Sequence, residues 1–305
     1  VSVTATDDAT NATTLNPGGN EFYIDNIAPA FANAAYTTVG TCLAQGDVAA
    51  FTIEVVEAGC GIFNEDNMTV TLKSAGNPDI DILPAHFQGK TGSGSALNPW
   101  VYTYNYPIAG TEVTAAYDIE YTGTDDATNA GNTVTLAGAF TIDNVDPVAG
   151  GFAVVGGAAC KKAGDAIAFS FTASDSDCGL FSQANGNFSV VANNTSGDNV
   201  PVFVNEAPAG TFNYTYTVHA NDAEGSVVTI DVTASDDAGN QATILGQTIA
   251  TVDNVAPIIS NFTVSTDCLK EGADVTIEFE VVEIGCGTFD ENDITIGGTA
   301  LAGAW

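Results

Sequence analysis

Oxygen-bearing side chains recur along this chain in three fixed settings. Asp-Asn-x-x-Pro occurs at Asp25-Asn26, Asp143-Asn144 and Asp253-Asn254, spaced 118 and 110 residues apart. A string of the form Thr/Ser-Asp-Asp-Ala-x-Asn supplies Asp7, Asp8 and Asn11, then Asp125, Asp126 and Asn129, then Asp236, Asp237 and Asn240. An acid stands three residues ahead of a cysteine at Glu57, Asp175 and Glu283. Carboxylates gathered in one place repel each other unless a hard cation joins them. Calcium accepts six to eight oxygen ligands in flexible geometry, whereas magnesium demands a tighter octahedron and keeps more water. Taken singly, each Asp or Asn is an ordinary turn former. Taken as sets, they are candidate calcium ligands. Paired carboxylates can also cleave glycosides, but a pair repeated beside every linker suits a structural ion better than one active site. His86 and His219 stand in different repeats, and the chain holds no G-x-S-x-G, H-E-x-x-H or phosphate-loop motif. The chain therefore reads as a non-enzyme.

The elements that must position these residues follow from the same period. Cys42 and Cys60, Cys160 and Cys178, and Cys268 and Cys286 keep step with the acidic strings, each pair 18 apart. A period near 110 residues is that of a whole domain rather than a solenoid turn. Phe51–Val55, Tyr102–Tyr106, Phe212–Tyr216, Val228–Val232 and Val275–Phe279 alternate at period two and are rich in β-branched and aromatic residues. Gly, Asn, Asp and Pro clusters separate them, and no stretch shows a sustained helical period. The expected fold is all-β: tandem immunoglobulin-like β-sandwich domains in a linear, rod-like array. Overlaying the repeats gives 25–142 and 143–252 as complete domains, 253–305 as the first half of another, and 1–24 as the last strands of one. The two partial pieces are complementary but fall short of a full domain. Two arrangements follow: a window in a longer array, which is the expectation, or identical chains completing each other head to tail by strand donation.

Composition narrows the classes further. With 38 acidic and 5 basic residues the net charge is −33. Nucleic-acid binding needs a basic footprint, and an anionic membrane surface would repel such a chain. The charge also opposes compaction unless cations neutralise it. No apolar run is long enough to insert in a membrane as a helix. Val1 opens in mid-pattern, as a processed end or a cut through a longer chain would. Periodic cysteines point to disulfides and an oxidising, extracellular location rather than to six buried thiols; a zinc site lacks both a C-x-x-C pair and clustered histidines.

In an immunoglobulin-like topology the B–C and F–G loops sit at the entry end of a domain, facing the incoming linker. That places Asp143, Asn144, Asp175, Asp236, Asp237 and Asn240 together, and likewise Asp25, Asn26, Glu57, Asp125, Asp126 and Asn129. Asp253, Asn254 and Glu283 begin a third set, and Asp7, Asp8 and Asn11 belong to the F–G loop of another. With these strings in order, the chain resembles tandem bacterial immunoglobulin-like domains of surface adhesins and extracellular repeat proteins. The resemblance rests on Ser235–Asn240 and Val252–Pro257 and their counterparts in each repeat. It implies calcium at domain junctions, stiffening into rods, and roles in attachment or architecture. A cysteine pair per repeat departs from that group.

Disulfide pairing within a repeat is opposed by distance. Val48–Glu57 reads as one strand B between Cys42 and Cys60, and such a strand spans roughly 30 Å. A disulfide tolerates only about 4.4–6.8 Å between Cα atoms. The expected bridges join neighbouring repeats: Cys42 with Cys178, Cys160 with Cys286, and Cys60 and Cys268 with repeats outside this segment. A bent strand B would instead permit pairing inside the repeat. Trp100 and Trp305 read as core before sugar platforms, and Asn11, Asn67, Asn187, Asn193, Asn194, Asn213 and Asn261 head glycosylation sequons. Three functions fit: a calcium-stabilised, disulfide-stapled extracellular filament or stalk, the spacer of a cell-surface adhesin, or an accessory module of a secreted polysaccharide-degrading enzyme. The expected partners are neighbouring repeats or identical chains, and cell-surface or matrix polymers.

Overall fold

Period-two alternation becomes strands whose alternate side chains are sealed from water. The computed structural model describes residues 2–15, 18, 23–59, 63–178, 181–197, 200–266, 268, 270–287 and 289–297, with the backbone of 299–300. Its residues fall into two compact units, 1–145 and 146–305.

In the first unit, β1 (Val3–Thr6) and β2 (Ala12–Leu15) form an exposed hairpin. There follow β3 (Ala30–Tyr36), β4 (Cys42–Leu43), β5 (Val48–Val56), β6 (Met68–Lys73), β7 (Ile80–Asp81), β8 (Phe87–Thr91), β9 (Trp100–Pro107), β10 (Ala115–Gly123) and β11 (Val134–Ile142). One sheet runs β3-β5-β9-β8 and the other β4-β11-β10-β6-β7. This is the A-B-E-D and A′-G-F-C order of an immunoglobulin-like sandwich, with the short β7 added beside strand C. Strand A changes sheets: β3 pairs antiparallel with β5, while β4 pairs parallel with the end of β11. Ala49, Phe51, Ile53 and Val55 are wholly buried and meet Leu72, Ile119 and Tyr121 of the other sheet. Phe51 stacks on Tyr104 at 5.9 Å and meets Tyr121 edge-on at 6.3 Å. Phe51, Ile53 and Val55 each contribute about 1.5–3 kcal/mol by leaving water. The polar tips are satisfied too: the Tyr102 hydroxyl donates to the Phe63 carbonyl at 3.1 Å, and that of Tyr121 to the Thr52 carbonyl at 3.3 Å.

The second unit repeats the plan with β12 (Val148–Val154), β13 (Ala159–Lys161), β14 (Ala166–Ser174), β15 (Phe188–Asn193), β16 (Val202–Glu206), β17 (Thr211–Thr217), β18 (Val227–Ser235) and β19 (Gln241–Val252). Its sheets are β12-β14-β17-β16 and β13-β19-β18-β15. Ile167, Phe169, Phe171 and Ala173 of β14 stand at the positions of Ala49, Phe51, Ile53 and Val55 and are buried alike. The fold is thus all-β, in tandem immunoglobulin-like sandwiches. Beyond them, β20 (Ile258–Val264) pairs with β21 (Ile277–Val282), and β22 (Thr295–Ile296) with β23 (Thr299–Ala300).

Strand A carries a bulge in every repeat, at Asn33, Gly151 and Asn261, each in left-handed conformation (φ 49°, 59° and 54°). Asparagine enters that region more readily than most residues, and here its amide is held across the strand pair. Asn33 donates to Glu54 at 2.7 Å and Asn261 to Glu280 at 2.5 Å. Where Gly151 replaces it, a Cβ would sit 2.8 Å from Thr172 Oγ1.

Candidate metal centre

Asp25 lies in the extended segment leading into β3. Its Oδ1 accepts the backbone N–H of Ile27 at 3.0 Å, a local turn bond that any Asp-x-x sequence can make. Glu57 follows the last residue of β5, and its Oε1 accepts the N–H of Gly59 at 2.7 Å. Asp125 opens the turn between β10 and β11. Its Oδ1 accepts the N–H of Asn129, its Oδ2 accepts the Asn129 amide Nδ2, both at 2.9 Å, and the side chain is buried. Three elements far apart in sequence thereby bring carboxylate oxygens of Asp25, Glu57 and Asp125 within 4.8 Å of one another.

The electrostatics of this trio are unfinished. Asp25 Oδ2 and Glu57 Oε2 are buried and accept no hydrogen bond. Ion pairs among the described residues are those of Lys73 with Glu120 at 2.7 Å and with Asp79 at 3.9 Å, so no lysine neutralises the trio. Burial alone would raise the Asp125 carboxyl, but the Asn129 and Ala127 hydrogen bonds outweigh it and hold it below the ordinary 3.8. Asp125 is therefore a carboxylate at neutral pH, facing two other acids. Buried polar atoms are rarely left without partners, and an oxygen-only, anionic set of this kind suits a hard divalent cation. The residues present fit calcium.

The backbone around the trio is shaped for close approach. A Cβ on Gly59 would lie 1.9 Å from Asp25 Oδ2, and one on Gly285 would lie 2.3 Å from Asp253 Oδ1. The linker carboxylate thus rests directly on the B–C loop at a place where a side chain would collide with it. The sequence signal was the glycine ahead of Cys60 and Cys286; Asp177 holds that place before Cys178.

Asn129 braces the site: besides holding Asp125, its Nδ2 donates to the Asp25 carbonyl at 3.1 Å. Asp126 accepts from Asn67 Nδ2 at 3.2 Å. Asn67 is a clamp that the sequence reading missed. Its backbone carbonyl accepts the Thr124 N–H and its side-chain oxygen the Asn64 N–H, fastening the start of β6 to the turn. Asn187 repeats this with Ser235, Asp237 and Ser182. The paired strings Asn64–Asn67 and Asp290–Asp293 were its trace in the sequence.

In the second unit, Asp175 and Asp236 bring carboxylate oxygens within 4.8 Å of each other. Asp236 accepts from Ala238 N, Asn240 N and Asn240 Nδ2, the same net that Asp125 makes, and Asp175 Oδ2 is buried without a partner. Asp143 belongs to the first unit and is fully buried. Its N–H donates to the Leu43 carbonyl and its Oδ1 accepts from Val145 N. The linker asparagines face their own sandwich. Asn144 Oδ1 accepts from Gln45 N at 3.1 Å and Asn254 Oδ1 from Ala163 N at 2.7 Å, while their Nδ2 groups donate to the Glu112 and Asp222 carbonyls. Asn26 is exposed. Glu283 accepts from Ile284 N and Gly285 N, and Asp253 from Val255 N. Asp7 repeats the turn net with Ala9 and Asn11 on the exposed hairpin, beside exposed Asp8.

Of the cysteines, Cys160 and Cys286 form a disulfide with Cα atoms 5.6 Å apart, and Cys42 and Cys178 are also disulfide-bonded. Cys268 is an exposed free thiol. Cys60 and Trp305 lie outside the described residues.

No family model and no curated protein matches the chain. Similar solved structures include an ICAM-5 D1–D4 ectodomain fragment, at 14% identity and TM-score 0.32, covering 81% of this chain and 60% of that one. The tandem Ig repeats of Dlar match at 10% identity and TM-score 0.21, over 74% and 98% of the two chains. Rst D1–D2 matches at 12% identity and TM-score 0.30, over 74% and 100%. The chain thus spans about three-fifths of the length of the ICAM-5 fragment.

Proposed function

We propose that the chain is a structural, adhesion-type module: a length of extracellular filament or stalk whose sandwiches are stiffened by calcium and stapled by disulfides. The supporting observation is the Asp25–Glu57–Asp125 trio, with two buried carboxylate oxygens lacking any donor. Asp25, Glu57 and Asp125 would hold the ion, and Asn129 and Asn67 would hold the turn that presents Asp125. By repeat position Asp175 and Asp236 belong to a second set. An ion bound there fastens the incoming linker to the B–C and F–G loops, removing the freedom that would let one repeat swing on the next. The Cys42–Cys178 pairing belongs to the same reading. The disulfides support an oxidising compartment, and the net charge of −33 would keep laterally adjacent copies apart.

Calorimetric titration of the metal-stripped chain with calcium is the test. Saturable binding at micromolar to millimolar calcium is expected, with magnesium weaker, and Glu57→Gln is expected to weaken one class of site by at least tenfold. Unchanged binding in Glu57→Gln, or none in the parent chain, would remove the metal from the account.

A further inference from the structure

The β20–β21 sheet carries an apolar face that the intact sandwiches keep dry. By strand pairing, Ile277 and Val281 stand where Phe51 and Val55 stand in the first sandwich and Phe169 and Ala173 in the second. Those four are at most 4% exposed. Ile277 and Val281 are half-buried, Val275 is 41% exposed, and Ile259 and Phe262 on β20 are 65% and 66% exposed. Phe289 and Ile294 border an open hollow of about 320 Å³ beside Val281. Exposure of this extent over adjoining strands marks a surface that something covers.

What covers the equivalent face in the second sandwich is the sheet containing β18 and β19, through Val232 and Ala234, both wholly buried. The chain contains another copy of that hairpin. In β18–β19 the register is Val232 with Ile244, Thr233 with Thr243, Ala234 with Ala242 and Ser235 with Gln241. In β1–β2 it is Val3 with Leu15, Thr4 with Thr14, Ala5 with Thr13 and Thr6 with Ala12. The registers coincide residue for residue. The turn between the strands carries the same net, Asp7 with Ala9 and Asn11 as Asp236 with Ala238 and Asn240. Yet Val3 is 61% and Leu15 65% exposed, and every residue of both strands is open to solvent. An isolated hairpin of this length is marginal in water.

We propose that the β1–β2 hairpin of one copy docks on the β20–β21 face of a second copy, so that chains join head to tail. Val3 and Ala5 take the places of Val232 and Ala234 against Ile277 and Val281. The same docking sets Asp7 in the position of Asp125, beside Asp253 and Glu283, which hold the positions of Asp25 and Glu57. The joint then closes over a calcium ion shared by two chains; this last clause rests on the calcium reading above.

Two variants of the 305-residue chain test the joint. Val3→Asp with Ala5→Asp spoils the hairpin and leaves the face; Ile277→Asp with Val281→Asp spoils the face and leaves the hairpin. Sedimentation at about 100 μM should show the parent chain as a ladder of oligomers, and each variant alone should self-associate about 100-fold more weakly. Mixed, the two variants should give heterodimers and nothing longer, since each supplies one good end. A monomeric parent chain, variants that still polymerise, or a mixture that does not pair would each overturn the joint. Equal assembly in calcium and in EDTA would remove only the shared ion, while calcium binding at Asp125 in a chain that stays monomeric would remove only the joint.

Discussion

Asp125→Ala should abolish the calcium-dependent rise in melting temperature of the first sandwich while leaving that of the second in place. A ligand present at a hundred times its dissociation constant stabilises the folded state by about 2.7 kcal/mol, and for a domain of this size that shifts the midpoint by roughly 10 °C. The side chain has two duties. It closes the β10–β11 turn through Asn129, and it completes the trio with Asp25 and Glu57. Asp125→Asn separates them, because a carboxamide oxygen can still accept one N–H but the charge is gone. Differential scanning calorimetry with calcium and with EDTA distinguishes the outcomes: a calcium-dependent shift that survives in Asp125→Ala would show that the ion binds elsewhere. Acid should act in the same direction. The folded carboxyls of Asp125 and Asp222 ionise below the ordinary 3.8 of an aspartate, and that of Glu112 below the ordinary 4.5 of a glutamate, because N–H and hydroxyl donors outweigh burial. The unfolded chain therefore takes up protons first as pH falls. Stability from these groups is complete above the ordinary carboxylate range and is lost as pH drops through the lowered values.

Breaking the Cys160–Cys286 bond should loosen β20–β21 far more than the sandwich to which it is tied. The bond closes a loop of sequence separation 126, and the chain-entropy account assigns a loop of that size about 4–5 kcal/mol, an upper figure where strain or residual structure intervenes. Among the described residues of a single copy, β20–β21 has little else to hold it, for its apolar face is open. β14 and β17 carry a full core. Hydrogen exchange on Cys286→Ser should show amides of 258–264 and 277–282 exchanging about 100-fold faster or more, with those of 166–174 and 211–217 unchanged. Equal protection in both proteins would mean that the strands hold without the staple.

Much of this architecture was legible because one physical rule wrote it. Phe51, Ile53 and Val55 alternate with polar residues since one face of strand B must be dry, and the rule survives in β14 although the residues differ. The turn from Asp125 to Asn129 was legible because its Asp and Asn satisfy each other locally, needing no knowledge of the rest of the chain. Strands β4 and β13 were not: two or three residues cannot display a period, and their pairing with β11 and β19 is decided by where strand A crosses between sheets. The roles of Asn144 and Asn254 were hidden for a related reason. A linker residue can turn toward the domain behind it or the one ahead, and their bonds to Gln45 and Ala163 depend on the position of loops a hundred residues away in sequence. Gly59 escaped notice because its message lies in what it lacks.

The tyrosines set a second boundary, on the alkaline side. Burial holds the phenols of Tyr102, Tyr104 and Tyr121 well above their ordinary 10.0, and that of Tyr214 is pushed up to about 12. In the unfolded chain each would shed its proton near 10, so every pH unit above that costs the fold about 1.4 kcal/mol per protonated ring. Three such rings in one sandwich amount to about 4 kcal/mol at pH 11, a large share of the stability of an ordinary domain. Alkali should therefore unfold these sandwiches abruptly rather than by degrees, since the first phenolate released comes from a core already opening.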